Sequence, residues 1–322
     1  MSVIPYCNPK SRAILYQSES SLIDPNTGEE FPVVNSIPRF TGSNNYAKSF
    51  GFQWRRFALT QLDQNQGVSQ SHDRLVATTN WTSNQLDNCS VLEVGSGAGR
   101  FTRELLSLCD RFVLYSVDYS EAVEVNHQTN LKYGNRLRLS QASLYELPFP
   151  SGAFDKVICL GVLQHTPSFD ESVRSLVEIT KPGGQIVVDF YRKKGWYTKI
   201  HSKYILRPVF KRFTSDHLIR LIDKNIDWMI ILFDLLFRIK LGFLARFIPI
   251  TDLRNLPNNL SNSERREWAI LDTFDGFSPA YDRPQRLEDV ISMFKNNGCR
   301  IDFAGSVSYD GRQSTVLRAT RL

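Results

Sequence analysis

The chain has 322 residues, of which 42% are hydrophobic and 22% charged, so we expect a globular protein rather than a disordered one. Its length suits one large domain with additions, or two domains. The formal net charge of +6 favours an anionic partner. Five cysteines without a CxxC pair argue against a disulfide framework and against a bound metal, and they predict reduced thiols in a cytoplasmic protein.

The first part of the chain, up to residue 88, divides into two segments. Residues 1–45 contain short strand-like pieces separated by turns, with edge strands predicted at residues 31–34 and 37–38. The chain begins without a basic stretch followed by an apolar run, so we expect no signal peptide. Residues 46–88 show helical patterning.

Short apolar runs alternate with helical segments through residues 89–190. The predicted buried strands are residues 90–94, 112–117, 137–139, 156–160 and 185–190. A helix is expected to begin at Arg100, another near Ser120, and a third after the capping-box sequence that starts at Ser168. Residues 181–184 should form the turn that ends the third helix. This alternation predicts a parallel sheet with helices on both faces.

The remaining chain contains an insertion, residues 191–285, before the α/β pattern resumes at residues 286–322. The apolar stretch 226–250 is interrupted by charged residues, so we expect a buried or interfacial amphipathic helix rather than a membrane span. A basic run at residues 192–212 precedes it. The run predicts either an anionic partner or a solvated surface.

A glycine loop and a carboxylate follow two successive strands. Gly95, Gly97 and Gly99 let a ligand approach the backbone, and Asp118 at the next strand tip can accept hydrogen bonds from ribose hydroxyls. A tight turn and a helix cap are the structural alternatives. Arg100 takes the place of the third glycine in the dinucleotide fingerprint GxGxxG, which disfavours a dinucleotide ligand.

Five segments form an ordered set of motifs: VLEVGSGAGRF at 91–101, YSVDYS at 115–120, LPF at 147–149, FDKVICLGVLQH at 154–165 and KPGG at 181–184. The set resembles the motifs of class I S-adenosylmethionine (SAM)-dependent methyltransferases. The resemblance implies SAM as the cofactor. It also implies a doubly wound, Rossmann-like α/β fold with a mostly parallel seven-stranded sheet, a small β-rich N-terminal extension and a helical insertion before the last two strands.

The resemblance further implies a set of cofactor-binding residues at the strand ends: Glu93, Gly95, Gly97, Gly99, Asp118, Ser143, Leu144 and Leu160. Glu93 and the glycines would face the methionine part of SAM, and Asp118 would bind its ribose. Ser143 stands where the family often has an aspartate that contacts adenine, and a hydroxyl hydrogen bond there is weaker.

The flanking segments carry further resemblances. Residues 31–40 resemble part of a zinc-ribbon-like module whose paired cysteines are absent here, which implies that residues 1–45 are a metal-free remnant. Residues 45–54 and 271–285 resemble stretches of a bacterial methyltransferase group. By that resemblance, residues 46–88 would cap the cofactor site, and residues 191–285 would form a lid and the substrate region.

His165 is our first candidate for a general base, because it follows the fourth strand at the carboxyl edge of the sheet, where ligands bind in such folds. A histidine that only bonds to the backbone is the alternative, and Asp275, Tyr281 and His201 are weaker candidates.

Three functions remain open. The first is O- or N-methylation of a small-molecule, sugar or lipid-linked acceptor, with negative charge on the acceptor as one option. The second is RNA methylation, supported by aromatic residues within the basic run, although nucleic acid is the less favoured partner. The third is a non-catalytic scaffold that binds SAM or a membrane surface through the amphipathic segment. The sequence leaves the oligomeric state open.

Overall fold

The computed structural model describes residues 3–42, 45–58, 60, 69–193, 195, 200–257 and 259–322. Its strands are β1 Tyr16–Gln17, β2 Ser21–Ile23, β3 Glu30–Val34, β4 Ile37–Pro38, β5 Ser90–Val94, β6 Val113–Asp118, β7 Leu137–Gln141, β8 Phe154–Cys159, β9 Thr180–Phe190, β10 Cys299–Tyr309 and β11 Arg312–Arg321. Its α-helices are α1 Lys48–Arg56, α2 Gln70–Thr79, α3 Ser83–Leu86, α4 Arg100–Leu108, α5 Ala122–Asn130, α6 Phe169–Ile179, α7 Ser202–Phe210, α8 Ser215–Arg238, α9 Asn262–Phe277 and α10 Leu287–Asn296.

A seven-stranded sheet forms the centre of the fold, in the order β10-β11-β9-β8-β5-β6-β7. Strands β5 to β9 pair in parallel, whereas β11 runs antiparallel to both β9 and β10. The predicted α/β class and the mostly parallel seven-stranded sheet are therefore confirmed. The carboxyl ends of β5, β6, β8 and β9 meet at one edge, which is where ligands bind in doubly wound folds.

Alternate residues of the central strands enter two cores, one on each face of the sheet. Leu92, Tyr115 and Val157 pack into one core, and their chain neighbours Val91 and Leu114 pack into the other. Because successive strand side chains point to opposite faces, strands buried on both faces must be apolar throughout. This explains why the sequence shows continuous apolar runs.

The N-terminal extension is a separate four-stranded antiparallel sheet, β1 to β4. Cys7 is buried there, and its backbone N–H donates to the carbonyl of Pro148 at 3.0 Å. Among the described residues, no group of His, Cys, Asp and Glu is arranged to hold a metal ion. The extension is thus fixed to the loop that precedes β8.

The insertion between β9 and β10 contains α7, α8 and α9 and builds a third core of its own. Ile226 and Phe233 of α8 pack there with Trp268 and Phe274 of α9. The apolar stretch 226–250 is not one helix, because α8 begins at Ser215 and ends at Arg238, and a short 3-10 helix, Gly242–Phe247, follows. Within the described chain, no helix is both long and apolar enough to cross a membrane.

Two local expectations differ in detail from the structure. The turn predicted at residues 181–184 lies within β9, where Gly183 has a φ of 78° and the register with β8 shifts between Phe154 and Lys156. At the start of α6, Ser168 Oγ accepts the N–H of Glu171 at 3.3 Å, which is one half of a capping box. Residues 181–184 nevertheless lie just after α6, and Ser168 directly precedes it, so both signals mark a helix boundary.

Candidate active site

The loop after β5 contains three glycines with positive φ, and each meets a different neighbour. A Cβ on Gly95 would overlap the side chain of Val162, and a Cβ on Gly99 would overlap the side-chain amides of Asn126 and Asn130. A Cβ on Gly97 would lie 3.0 Å from the indole Nε1 of Trp54. Gly99 therefore permits close packing of the loop against α5, whereas Gly97 permits the close approach of Trp54 from α1.

Asp118 lies at the end of β6, beside this loop. One carboxylate oxygen accepts the N–H of Gly97 at 2.7 Å, and the other accepts the N–H and the hydroxyl of Ser120 at 2.7 and 2.6 Å. Burial raises the pKa of this carboxyl, while its hydrogen bonds act in the opposite direction. The carboxylate thus joins two strand tips and still lines the adjoining cavity.

Glu93 lies under the loop rather than in the cavity. Its carboxylate accepts hydrogen bonds from the hydroxyls of Thr102 at 2.5 Å and Ser116 at 2.9 Å. Burial raises its pKa to about 7. Glu93 thereby fixes the start of α4 against β5 and β6.

A single cavity of about 850 Å³ extends from this loop to the insertion. Among the predicted site residues, its lining includes Gly95, Gly97, Asp118, Leu144, Leu160 and His165. In the described part of the chain, Glu93, Gly99 and Ser143 do not line it. The hydroxyl of Ser143 instead accepts the N–H of Tyr145 at 3.2 Å. The cavity brings most, but not all, of the expected residues together.

Aromatic side chains of the segment before β5 cover the cavity. Tyr46 packs against Tyr119 and Tyr281, with ring centroids 4.9 and 5.6 Å apart, and Trp54 stands over Gly97. The ring centroids of Phe50 and His165 are 5.3 Å apart. Helix α1 therefore lies over the glycine loop and connects it with the insertion.

His165 is buried at the end of the 3-10 helix Leu163–His165 and lines the cavity. Its Nδ1 lies 3.0 Å from the backbone carbonyl of Tyr281. Because a carbonyl only accepts, Nδ1 carries the proton and Nε2 of the neutral ring keeps its lone pair. Burial lowers the pKa of His165, which favours that neutral form.

The far end of the cavity is built by charged residues that sequence reasoning missed. Arg74 of α2 pairs with Asp189 of β9 at 2.5 Å, and Asp189 also accepts the N–H of Gly161 at 2.5 Å. Lys203 pairs with Asp282 at 2.6 Å. These pairs join elements that are far apart in the chain, so the sequence does not show them. Only the position of Asp189 near the end of a predicted strand could have marked it as a site residue.

Arg312, at the start of β11, is the most unusual of the cavity-lining residues. Its side chain is 6% exposed, and none of its guanidinium nitrogens forms a hydrogen bond with the part of the chain that the structure describes. Its one ion-pair contact there is Asp310, at 3.5 Å. The buried hydroxyl of Ser96 and the carbonyl oxygens of the Gln53 and Gln70 side chains likewise lack partners within the described residues. Buried polar atoms without partners are rare and therefore indicate a site for a ligand or for water.

Comparison with known proteins identifies this region. A family model described as a methyltransferase domain matches residues 92–188. An uncharacterized methyltransferase of Arabidopsis thaliana is 28% identical over 136 residues, 40% of this chain and 38% of the relative. The ubiquinone/menaquinone biosynthesis C-methyltransferase UbiE of Hahella chejuensis is 29% identical over 103 residues, 31% of this chain and 41% of the relative. The match thus spans about two fifths of the length of these curated relatives.

Among solved structures, a chain from a complex between a methyltransferase activator and a methyltransferase of Haloferax volcanii is similar in fold. It has a TM-score of 0.51 and 11% identity, and the alignment covers 87% of this chain and 97% of that chain. The segment matched by the family model is the same one that forms the central parallel strands and the glycine loop. The matched segment, residues 92–188, is therefore a class I SAM-dependent methyltransferase domain, and SAM is the cofactor of that domain.

Proposed function

We propose that this enzyme transfers the methyl group of SAM to an oxygen or nitrogen of a small acceptor, such as a small molecule, a sugar or a lipid-linked sugar. One observation carries the proposal: a single cavity of about 850 Å³ contains the glycine loop and Asp118 at one end and His165 with charged residues of the insertion at the other. Ligand pockets typically have volumes of about 300–1,000 Å³, so this one has room for a cofactor and a compact acceptor.

The cofactor end fits SAM. Gly95 and Gly97 line the cavity with backbone that carries no side chain, Asp118 offers a carboxylate to ribose hydroxyls, and Leu144 and Leu160 supply apolar surface. The hydroxyl of Ser96, which has no hydrogen-bond partner among the described residues, adds a polar group that a bound molecule would satisfy. When bound, SAM supplies an already activated methyl group, so positioning is the main requirement on the protein.

We assign Glu93 and Gly99 a supporting role, since they hold the loop from beneath and from the side. Ser143 would support the adenine region through its turn with Tyr145. Tyr46 and Trp54 would cover the bound cofactor. Glu93, Gly99 and Ser143 would thus support the cofactor site without lining it, and the site stays at the same edge of the sheet.

His165 would act as the general base. An acceptor hydroxyl or amine must lose a proton during transfer, and a neutral imidazole with a fixed tautomer can take it at Nε2. The contact of Nδ1 with the Tyr281 carbonyl provides that fixed tautomer. Names of relatives such as UbiE refer to C-methyltransferases, for which a base would instead remove a proton from carbon.

An anionic group on the acceptor would account for Arg312. A buried guanidinium without hydrogen bonds is costly, and a carboxylate or phosphate is the ligand that best satisfies it. Burial lowers the pKa of Arg312, and its nearest acid, Asp310, is 3.5 Å away and partly exposed. Small adjustments of the side chain would let a bound anion replace that distant contact.

RNA is a weaker candidate, because part of the basic run is used inside the protein. Arg207 donates to the carbonyls of Gly276 and Pro279, at 3.3 and 2.5 Å, and Lys203 pairs with buried Asp282. Lys194, Trp196, Tyr197 and Lys199, which also belong to that run, lie outside the described residues. A continuous cationic stripe for a phosphate backbone is therefore not supported.

The test is to incubate purified protein with methyl-labelled SAM and a lysate separated into RNA, lipid and small-metabolite fractions. We expect label in a small or lipid-linked product that an anion-exchange resin retains, and label in RNA would overturn the proposal. Arg312→Gln should reduce labelling about tenfold or more without changing the affinity for S-adenosylhomocysteine. The control Arg300→Gln alters an exposed arginine of β10 that pairs with Asp302, and it should have no effect.

A further inference from the structure

Helix α8 has two apolar faces, although only one of them is covered. Leu218, Ile222, Ile226, Met229 and Phe233 are buried in the core of the insertion. On the opposite side, Trp228, Ile231 and Leu235 are 49%, 68% and 47% exposed. Their spacing of three and four residues places them in one stripe along the helix.

Further large apolar residues are exposed directly after the end of α8 in the chain. Ile239 and Leu241 follow at 49% and 40% exposure, and Phe243 and Phe247 of the 3-10 helix Gly242–Phe247 reach 61% and 53%. We call these four residues, together with Trp228, Ile231 and Leu235, the apolar ridge. Single exposed apolar residues are ordinary, but a contiguous set of large ones marks an interaction surface.

The acids and the bases near the apolar ridge differ in whether they form ion pairs within the protein. The acids on the flank of α8, namely Asp223, Asp227 and Asp234, pair with Arg265 and Arg266 of α9 at distances of 2.7 to 2.9 Å. Exposed bases accompany the ridge at Arg220, Lys224, Arg238, Lys240 and Arg246. None of these five forms an ion pair with another residue in the described ranges. These three acids are thus neutralised within the protein, and the five bases remain available, whereas Asp216 in the first turn of α8 is exposed and does not belong to these pairs.

We propose that the apolar ridge docks on an anionic lipid bilayer. Amphipathic helices that lie in the plane of a membrane combine tryptophan, phenylalanine and leucine on one side with lysine and arginine beside them. Aromatic rings and long cationic side chains favour the headgroup region. The ridge has this composition.

A second copy of the chain fits the same surface less well. A symmetric dimer through the apolar ridge would place the bases of one copy beside those of the other, because a twofold interface is self-complementary. Like charges brought together in this way oppose association. Anionic lipid headgroups would instead be attracted to every one of these bases.

Docking would also place the cavity near the lipid. Ile250, Thr251 and Asp252 line the acceptor end, and they begin three residues after Phe247. The membrane proposal itself does not depend on methyl transfer, so binding can be measured without any acceptor.

The experiment is flotation of the full chain with vesicles of phosphatidylcholine alone or mixed with phosphatidylglycerol. Wild-type protein should float with the anionic vesicles, and Ile231→Glu combined with Phe243→Glu should reduce the bound fraction about tenfold or more. The matched control is Leu131→Glu, which changes a residue of similar exposure, 61%, outside the insertion and should leave flotation unchanged. Helical circular dichroism verifies that each variant is folded.

A second pair of variants tests the charges. Lys224→Gln and Arg238→Gln should each weaken binding to anionic vesicles about fivefold, with little effect on phosphatidylcholine alone. The proposal is overturned when folded wild-type protein does not float with anionic vesicles, or when the double glutamate variant floats as well as wild type. It is equally overturned when sedimentation shows a dimer that Ile231→Glu dissociates, since a second copy would then cover the ridge.

Discussion

Replacement of Asp118 by asparagine tests the proposed cofactor site most directly. The two oxygens of this carboxylate accept three hydrogen bonds from Gly97 and Ser120. A carboxylate has about four acceptor positions, so about one is left for a ribose hydroxyl. Asparagine keeps the shape of the side chain but removes the charge and one acceptor atom.

The expected loss follows from the strength of that single charged hydrogen bond. Hydrogen bonds to charged groups contribute about 1.5–3 kcal/mol, which corresponds to an affinity change of about 10- to 150-fold. The amide NH₂ of Asp118→Asn must also face either Gly97 or Ser120, which are both donors, so the loop geometry should suffer as well. We therefore expect S-adenosylhomocysteine to bind at least tenfold more weakly, measured by isothermal titration calorimetry.

Asp155→Asn is the matched control. Asp155 also lies at a strand end and accepts the N–H and hydroxyl of Ser90 at 2.8 and 2.6 Å, but it sits at the opposite edge of the sheet. This variant should lower stability without changing affinity. An Asp118→Asn protein that folds and binds within twofold of wild type would refute the ribose assignment. An equal loss in both variants would show that the effect is general destabilisation.

The central sheet could be predicted because its signals are local. Each parallel strand is a continuous apolar run, and each run ends at a residue that permits a turn, such as Gly95 or Asp118. The register of neighbouring strands then places these ends at one edge without further information. The same reasoning located His165, which follows β8 in the chain.

The roles of individual residues could not be predicted in the same way, since they depend on contacts between distant segments. Gly97 and Gly99 are the same residue type in the same loop, and only the positions of Trp54 and Asn126 distinguish the one that faces the cavity. Arg312 shows no pattern in sequence. Its burial arises when the last hairpin pairs with β9 and completes the sheet.

Three further predictions concern residues around the cavity. His165→Gln should lower kcat about 100-fold or more, since general-base catalysis contributes at least that much. The calorimetric affinity for S-adenosylhomocysteine should stay unchanged. An unaltered kcat would contradict the assignment of His165 as the base. Gly99→Ala should destabilise the fold by about 2 kcal/mol or more, as measured by urea unfolding. The new Cβ would overlap the side chain of Asn126, and the backbone φ of 87° at this position is unfavourable for alanine. A variant as stable as wild type would show that α5 can move away. Glu93 should make stability depend on pH, because burial raises its pKa from 4.5 to about 7 in the folded state. The folded protein then holds a proton that the unfolded chain releases, so stability falls as the pH rises from about 4.5 to about 7, by about 3 kcal/mol in total at 1.36 kcal/mol per pKa unit. Glu93→Gln carries no titrating proton, so urea unfolding at pH 5 and pH 8 should show a smaller difference than wild type, and an identical difference would mean that Glu93 is already ionised inside the fold.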